Sequence, residues 1–226
     1  MPSYPTERES ALEKHRVRRA AFVAAAADVM RRDGVAACSV RAVARQAGVS
    51  PGVIHYYFAD AQELVDLGYN WITDRYFAGL ERFRHTHKNP TSDFWHFMAA
   101  YIEPWHTHPR MTQLWTEYYT FSGSNQSSSG IALSHQRTIE LFASFLQDIE
   151  DGEYVERAPA VWRYVTGTVE NRQTMPITLQ QIFNDLARLI GLKQPTASRM
   201  LCKRDGCWCR GGASRLFQTE PQTSAS

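Results

Sequence analysis

Arg41 and Arg45 stand four residues apart in a stretch with helical apolar periodicity, and their side chains suit the recognition of nucleic acid. Residues with this spacing share one side of a helix. The inward side is apolar and is formed by Val40, Val43, Ala44 and Ala47. An outward guanidinium group binds a phosphate, or donates two hydrogen bonds to the edge of a guanine. The two arginines are therefore candidates for contact with DNA.

A pair of short helices joined by a glycine turn positions these arginines. Ser39 is a suitable N-cap for the first helix, and Gly48 suits the left-handed residue that ends it. Ser50 is expected to cap the second helix, with Pro51 at its first position. Two helices joined in this way form a helix-turn-helix, whose second helix can enter the major groove of DNA.

The second helix of the pair separates an inward side from an outward side. The residues expected to point inward are Ile54, Tyr57 and Phe58. Those left facing outward are Pro51, Gly52, Val53, His55 and Tyr56. A further helix is expected to begin after Asp60, with Glu63 as its capping-box partner.

The segment AGVSPGVIHYYF, residues 47–58, closely resembles the signature of the TetR family of one-component transcriptional repressors. Residues 15–44 are similar to that family's first helix and its approach to the motif. The resemblance is close over residues 16–64 and only architectural beyond them. It implies an all-α fold, with an N-terminal three-helix helix-turn-helix DNA-binding domain followed by a C-terminal helical ligand-binding and dimerisation domain.

The resemblance also implies which residues lie at or near the DNA. Together with the outward Arg45, these are Ser39, Arg41, Ser50, Pro51, Gly52, Val53, His55, Tyr56 and Tyr57. One departure concerns the loop after Phe58, where the family commonly has a phosphate-binding lysine and this chain has Ala61. Arg16, Arg18 and Arg19 are candidates to replace that contact.

The distribution of charge agrees with a DNA-binding N-terminus. Residues 1–58 hold nine Lys and Arg against five Asp and Glu, whereas residues 59–198 hold eleven against sixteen. A basic excess at the motif is what a phosphate-binding surface requires. Although such small imbalances also arise by chance, the position of this one favours DNA binding.

The apolar pattern predicts helices throughout and no strand, and it divides the chain into four parts. We expect a mobile arm over residues 1–14, a DNA-binding domain over 15–60, an effector-binding and dimerisation domain over 61–192, and a disordered tail over 193–226. The long helix that begins at residue 61 is expected to connect the two domains. The polar run over residues 123–130 is expected to be flexible.

The predicted second domain is rich in aromatic residues. By resemblance to the family it should hold a small-molecule effector of unknown identity, and the candidate ligand-binding residues are Trp71, Trp105, Trp115, Tyr118 and Tyr119. For any single one of these aromatics, ordinary core packing is favoured over ligand contact. Glu103 and Glu117 lie among them and would favour a cationic ligand.

The last two predicted helices carry continuous apolar faces, and we expect them to form a four-helix bundle with a second copy of the chain. The candidate interface residues are Val165, Val169, Ile182, Phe183, Leu186 and Leu189. The expected partners are thus a homodimer mate, pseudo-palindromic double-stranded DNA and the effector, with no membrane and no cofactor.

Other chemistries receive little support from the sequence. The His85-Thr-His87 and His106-Thr-His108 pairs diverge on a helix, and Cys202, Cys207 and Cys209 lack the spacing of a structural zinc site, so no metal site is predicted. No catalytic signature is present, and we expect no enzyme activity. The chain lacks a secretory signal and a membrane span, which favours the cytoplasm. The alternatives are an effector-independent DNA-binding module and a metal-responsive regulator.

Overall fold

The computed structural model describes residues 7–196 except 88, 108, 125–127, 172–173 and 194. All regular structure in these residues is helical, which confirms the predicted all-α fold. The α-helices are α1 (Glu7–Asp33), α2 (Val40–Gln46), α3 (Pro51–Tyr57), α4 (Ala61–Leu80), α5 (Pro90–Thr107), α6 (Pro109–Ser124), α7 (Ser128–Gln147), α8 (Ala158–Glu170) and α9 (Leu179–Ile190). Within the described part of the chain, no helix combines the length and the apolar character needed to cross a membrane.

Two segments predicted to be irregular are helical instead. The first helix begins at Glu7 and not near His15, because residues 7–14 are mostly strong helix formers and contain neither glycine nor proline. The polar run is also largely absorbed into helices: residues 123–124 close α6, and residues 128–130 open α7. Serine is favourable at a helix start, which accounts for the second case.

The chain divides into two compact units whose boundary differs from the predicted domain boundary at residue 60. The first unit contains the described residues up to Thr73 together with residues 114–124. The second contains residues 74–113 and the described residues from 128 onward.

The core of the first unit forms where α4 crosses α1. Gly68 permits this close approach, because a Cβ atom there would lie 2.4 Å from Cε of Met30 and 3.2 Å from the backbone nitrogen of Ala27. Met30 and Ile54 have no exposed surface. The α1–α2–α3 bundle is thereby fixed to the beginning of α4.

The second half of α6 completes the first unit. Tyr118 is fully buried and stacks on Tyr69, with ring centroids 3.7 Å apart and planes inclined by 5°. Its hydroxyl donates a hydrogen bond to Oδ1 of Asp66 at 3.0 Å. These contacts explain why residues 114–124 pack with the N-terminal helices rather than with the rest of the predicted effector domain.

The core of the second unit is built on aromatic packing between α5 and α7. Phe97 stacks on Phe145 with ring centroids 4.0 Å apart. Arg84 lies over the Phe145 ring at 4.2 Å and donates hydrogen bonds to Oδ2 of Asp148 and Oγ of Ser144, each at 2.7 Å. The guanidinium group thus closes one side of this aromatic core.

The helix pair α8–α9 buries most of the residues predicted for the dimer interface within its own chain. Side chains that are at most 5% exposed cannot supply the apolar area that a second copy would cover. This applies to five of the six predicted residues, namely Val165, Val169, Ile182, Phe183 and Leu186. Leu189 is 39% exposed and remains available. The apolar side of α9 therefore packs against the core of its own chain.

Candidate nucleic-acid interface

Local interactions set the angle between α2 and α3. The Oγ atom of Ser39 accepts a hydrogen bond from the backbone N–H of Ala42 at 3.2 Å, as expected for an N-cap. Gly48 has φ 67°, a conformation that L side chains rarely adopt, and it turns the chain between the helices. The N–H of Val49 then donates to the carbonyl of Ala44 at 3.0 Å.

The start of α3 differs from the prediction in one respect. Ser50 lies at the N-cap position with extended backbone angles, but its side chain makes no capping hydrogen bond. The backbone carbonyl of Ser50 accepts from the N–H of Val53 at 3.0 Å instead. The exposed hydroxyl of Ser50 is therefore not committed to holding the helix.

The capping arrangement before α4 is close to the predicted one. Oδ1 of Asp60 accepts a hydrogen bond from the N–H of Glu63 at 2.8 Å. In return, Oε2 of Glu63 accepts from the N–H of Ala59 at 2.8 Å, one residue earlier than in an ordinary capping box. This pair orients α4 directly after the helix-turn-helix.

Most of the residues predicted to contact DNA lie on the exposed surface of α2 and α3. Tyr56 is 74% exposed, and neither Arg41 nor Arg45 forms an ion pair among the described residues. Val53 and Tyr57 are half-buried. The exposed ones are Ser39, Arg41, Arg45, Ser50, Pro51, Gly52, His55 and Tyr56. The two unpaired guanidinium groups are free to bind phosphates.

Tyr57 connects the second motif helix to α1. Its ring stacks on that of His15 at 4.5 Å and meets the edge of Phe22 at 5.2 Å. The His15 ring also lies 5.9 Å from that of Tyr56. Sequence reasoning missed His15, although its spacing of seven residues from Phe22 places both on one side of α1.

Of the three arginines considered as replacements for the missing lysine, two are already paired. Arg19 forms an ion pair with Glu63 at 2.5 Å and lies over the ring of Phe58. Arg16 pairs with Glu13 at 2.8 Å. Arg18 is exposed and forms no ion pair within the described part of the chain.

Glu117 on α6 stabilises the turn that precedes the helix-turn-helix, a role that the sequence did not predict. Its Oε2 atom accepts a hydrogen bond from the backbone N–H of Val35 at 2.9 Å, at the turn between α1 and α2. Gly34 has φ 102°, and a Cβ atom there would lie 3.0 Å from the same oxygen. No local pattern relates residues so distant in sequence.

The five predicted ligand-binding aromatics are divided between the two units. Trp71, Trp115, Tyr118 and Tyr119 belong to the first unit, whereas Trp105 belongs to the second. Burial, followed by the nearby Asp66 carboxylate, raises the pKa of Tyr118, whose ring and hydroxyl are committed to packing. Trp115 and Tyr119 are half-buried with ring centroids 4.3 Å apart.

The described residues contain no group of three His, Cys, Asp or Glu side chains close enough to hold a metal. Nδ1 of His87 lies 2.8 Å from Oδ1 of the buried Asp93, and the His87 ring stacks on His96. The buried thiol of Cys38 has a pKa raised to about 12 by desolvation. The side chains of His106 and His108 and the cysteines of the tail lie outside the described residues.

Several solved structures share this fold. A transcriptional regulator from Streptomyces coelicolor A3(2) has a TM-score of 0.61 and 20% identity, over 76% of this chain and 98% of that one. A TetR-family regulator from Rhodococcus sp. has a TM-score of 0.55 and 19% identity, over 77% and 97%. A regulator from Pseudomonas aeruginosa PAO1 has a TM-score of 0.55 and 20% identity, over 90% and 95%.

The matched part of the sequence coincides with the helix-turn-helix. The family model for bacterial regulatory proteins of the tetR family matches residues 22–66, which include the whole of α2 and α3. No curated protein matches the sequence significantly. Because the matched residues are those that form and support the exposed α2–α3 surface, residues 22–66 form a DNA-binding helix-turn-helix domain similar to that of the tetR family of bacterial transcriptional regulators.

Proposed function

We propose that this regulator is a homodimeric repressor that binds a pseudo-palindromic operator and releases it when a small molecule binds. The main observation in support is the exposed α2–α3 surface, where Arg41 and Arg45 have no ionic partner among the described residues. In this proposal α3 enters the major groove, and the two arginines on α2 bind the adjacent backbone or a guanine edge.

Gly52 gives independent support for close approach to DNA. A Cβ atom at this position would meet nothing nearer than Oγ of Ser50, at 4.0 Å. The fold of the chain itself therefore does not require a glycine here, even though glycine destabilises a helix by about 1 kcal/mol relative to alanine. A duplex backbone lying against the start of α3 accounts for the missing side chain.

This proposal is tested by selecting bound duplexes from a random-sequence pool and then measuring the affinity of the chain for the selected sequences. Arg41→Ala and Arg45→Ala should weaken operator binding, since each removes a charge from the docking surface. Gly52→Ala should also weaken it while leaving the melting temperature unchanged or higher. The control is Arg82→Ala, which removes an exposed charge from the second unit, away from α8 and α9. Equal affinity for all four variants and the wild type would refute the assigned surface.

Dimerisation is needed because two helix-turn-helix motifs must enter major grooves about 34–36 Å apart. We assign the contact to the outer side of α8 and α9, where Leu189 is 39% exposed and a Cβ atom on Gly167 would meet nothing within 4 Å. Gly167→Leu should leave the fold of one chain intact but weaken the dimer, because the added side chain meets the second copy. Sedimentation that shows a monomeric wild type at micromolar concentration would refute this assignment.

The effector is proposed to be a small aromatic or amphipathic molecule that contacts the half-buried Trp115 and Tyr119. These residues lie on α6 beside Glu117, which accepts a hydrogen bond from the N–H of Val35, and Tyr118, which donates one to Asp66. Displacement of this segment would thus disturb contacts behind the helix-turn-helix. Typical coupling free energies of about 1–3 kcal/mol change occupancy roughly five- to hundredfold.

A compound screen that follows tryptophan fluorescence and operator release together tests the effector proposal. Trp115→Ala should abolish the response while DNA binding remains. If every bound compound leaves operator affinity unchanged, the chain is an effector-independent DNA-binding module, because only differential affinity shifts an equilibrium. Metal-dependent thermal stabilisation would favour the metal-responsive alternative. A regulator of this kind acts on the chromosome, so the cytoplasm is its proposed location, without enzyme activity.

A further inference from the structure

The first turns of α1 extend beyond the helix-turn-helix and separate their charges by side. At about 100° per residue, a stripe made of Arg8, Lys14, His15 and Arg18 fits within an arc of about 120°. Of the carboxylates that follow Arg8, Glu9 and Glu13 lie outside that arc, where Glu13 pairs with Arg16 at 2.8 Å. Glu7 falls within the arc, at the first residue of the helix, before the stripe begins. All four side chains of the stripe are exposed.

This basic stripe is continuous with the proposed DNA-docking surface. His15 belongs to the stripe, and its ring contacts both Tyr57 at 4.5 Å and Tyr56 at 5.9 Å on α3. Tyr56 is itself among the most exposed large side chains of the first unit. The stripe therefore begins at the end of α3 and runs outward along α1.

No described carboxylate pairs with the cations of the stripe. Lys14 and Arg18 form no ion pair with any described residue, in contrast to Arg16 and Arg19. A row of unpaired cations with no intervening carboxylate is complementary to a nucleic-acid backbone, which carries one negative charge per phosphate.

We propose that the extension of α1 is a second DNA contact, in which Arg8, Lys14 and Arg18 bind phosphates beside the segment occupied by α3. Arg8 lies about 10 Å along the helix from His15, which corresponds to about three base pairs of duplex. The contact is independent of base sequence, because it involves only the backbone. It extends each half-site outward and rests on the proposed docking of α2 and α3.

Salt titrations of binding to a mixed-sequence duplex of about 30 base pairs test this contact in the full-length chain. Each lost phosphate contact lowers the slope of log K against log salt by about 0.9 and, at 0.1 M salt, the affinity by about eightfold. Arg18→Ala should therefore lower the slope by about 0.9 for each bound protomer, and Lys14→Ala with Arg18→Ala by about 1.8.

Arg16→Ala is the matched control, since it removes the same charge two residues away on the side that carries the carboxylates. It should leave the slope unchanged, and Arg18→Lys should restore the wild-type value. Equal slopes for Arg18→Ala and Arg16→Ala, with a reduced slope for Arg41→Ala, would overturn the second contact and leave the proposed function standing. A wild-type chain that binds no duplex would overturn both.

Discussion

Replacement of Glu117 by alanine tests how far α6 stabilises the helix-turn-helix through the hydrogen bond between Glu117 and Val35. The substitution removes the oxygen that accepts from the N–H of Val35 at 2.9 Å, and Val35 has no exposed surface. A buried donor left without a partner costs about 1–3 kcal/mol. For a chain of this length, each kcal/mol corresponds to about 2–4 °C, so the melting temperature should fall by about 2–12 °C.

Thermal unfolding followed by circular dichroism provides the measurement. Glu117→Gln keeps an acceptor oxygen at the same reach and should lose less, because hydrogen bonds to neutral acceptors are about half as strong. Glu140→Ala is the control, since that residue is exposed on α7 and should change stability by less than about 0.5 kcal/mol. The reasoning is refuted if Glu117→Gln is as damaging as Glu117→Ala, or if both melt like the wild type.

Three further predictions follow from buried groups and close approaches. Cys38 should resist iodoacetamide in the folded chain and react only in denaturant, because its pKa is about 12; prompt alkylation of its peptide would contradict this. Burial lowers the pKa of His96, so the unfolded state takes up a proton first as the pH falls. Stability should therefore decrease below about pH 6.5 and continue to fall through the lower folded-state pKa, and His96→Asn should flatten urea midpoints measured across that range. Gly68→Ala should destabilise the chain despite the better helix propensity of alanine, because the added carbon lies 3.2 Å from the backbone nitrogen of Ala27; calorimetry showing a gain would refute the close packing.

Local determinants made the helix-turn-helix predictable from sequence. Ser39 and Gly48 act through atoms only a few residues away, and both behave as expected. The apolar period of α9 correctly indicated a buried side, but a periodic pattern cannot tell whether the chain itself or a second copy covers it. Phe183 is covered by its own chain. The role of Glu117 depends on a partner 82 residues away, for which no spacing rule exists.

The presence of residues 114–124 in the first unit means that the DNA-binding module is discontinuous in the chain. A ribosome must add residues 74–113 before Tyr118 can cover Tyr69, so the module cannot complete its fold when its own N-terminal segment emerges. The same discontinuity limits engineering. A chimera that joins residues up to Thr73 to the C-terminal part of another protein lacks Tyr118, which stacks on Tyr69, and Glu117, which accepts from the N–H of Val35. A chimera that also carries residues 114–124 preserves both contacts.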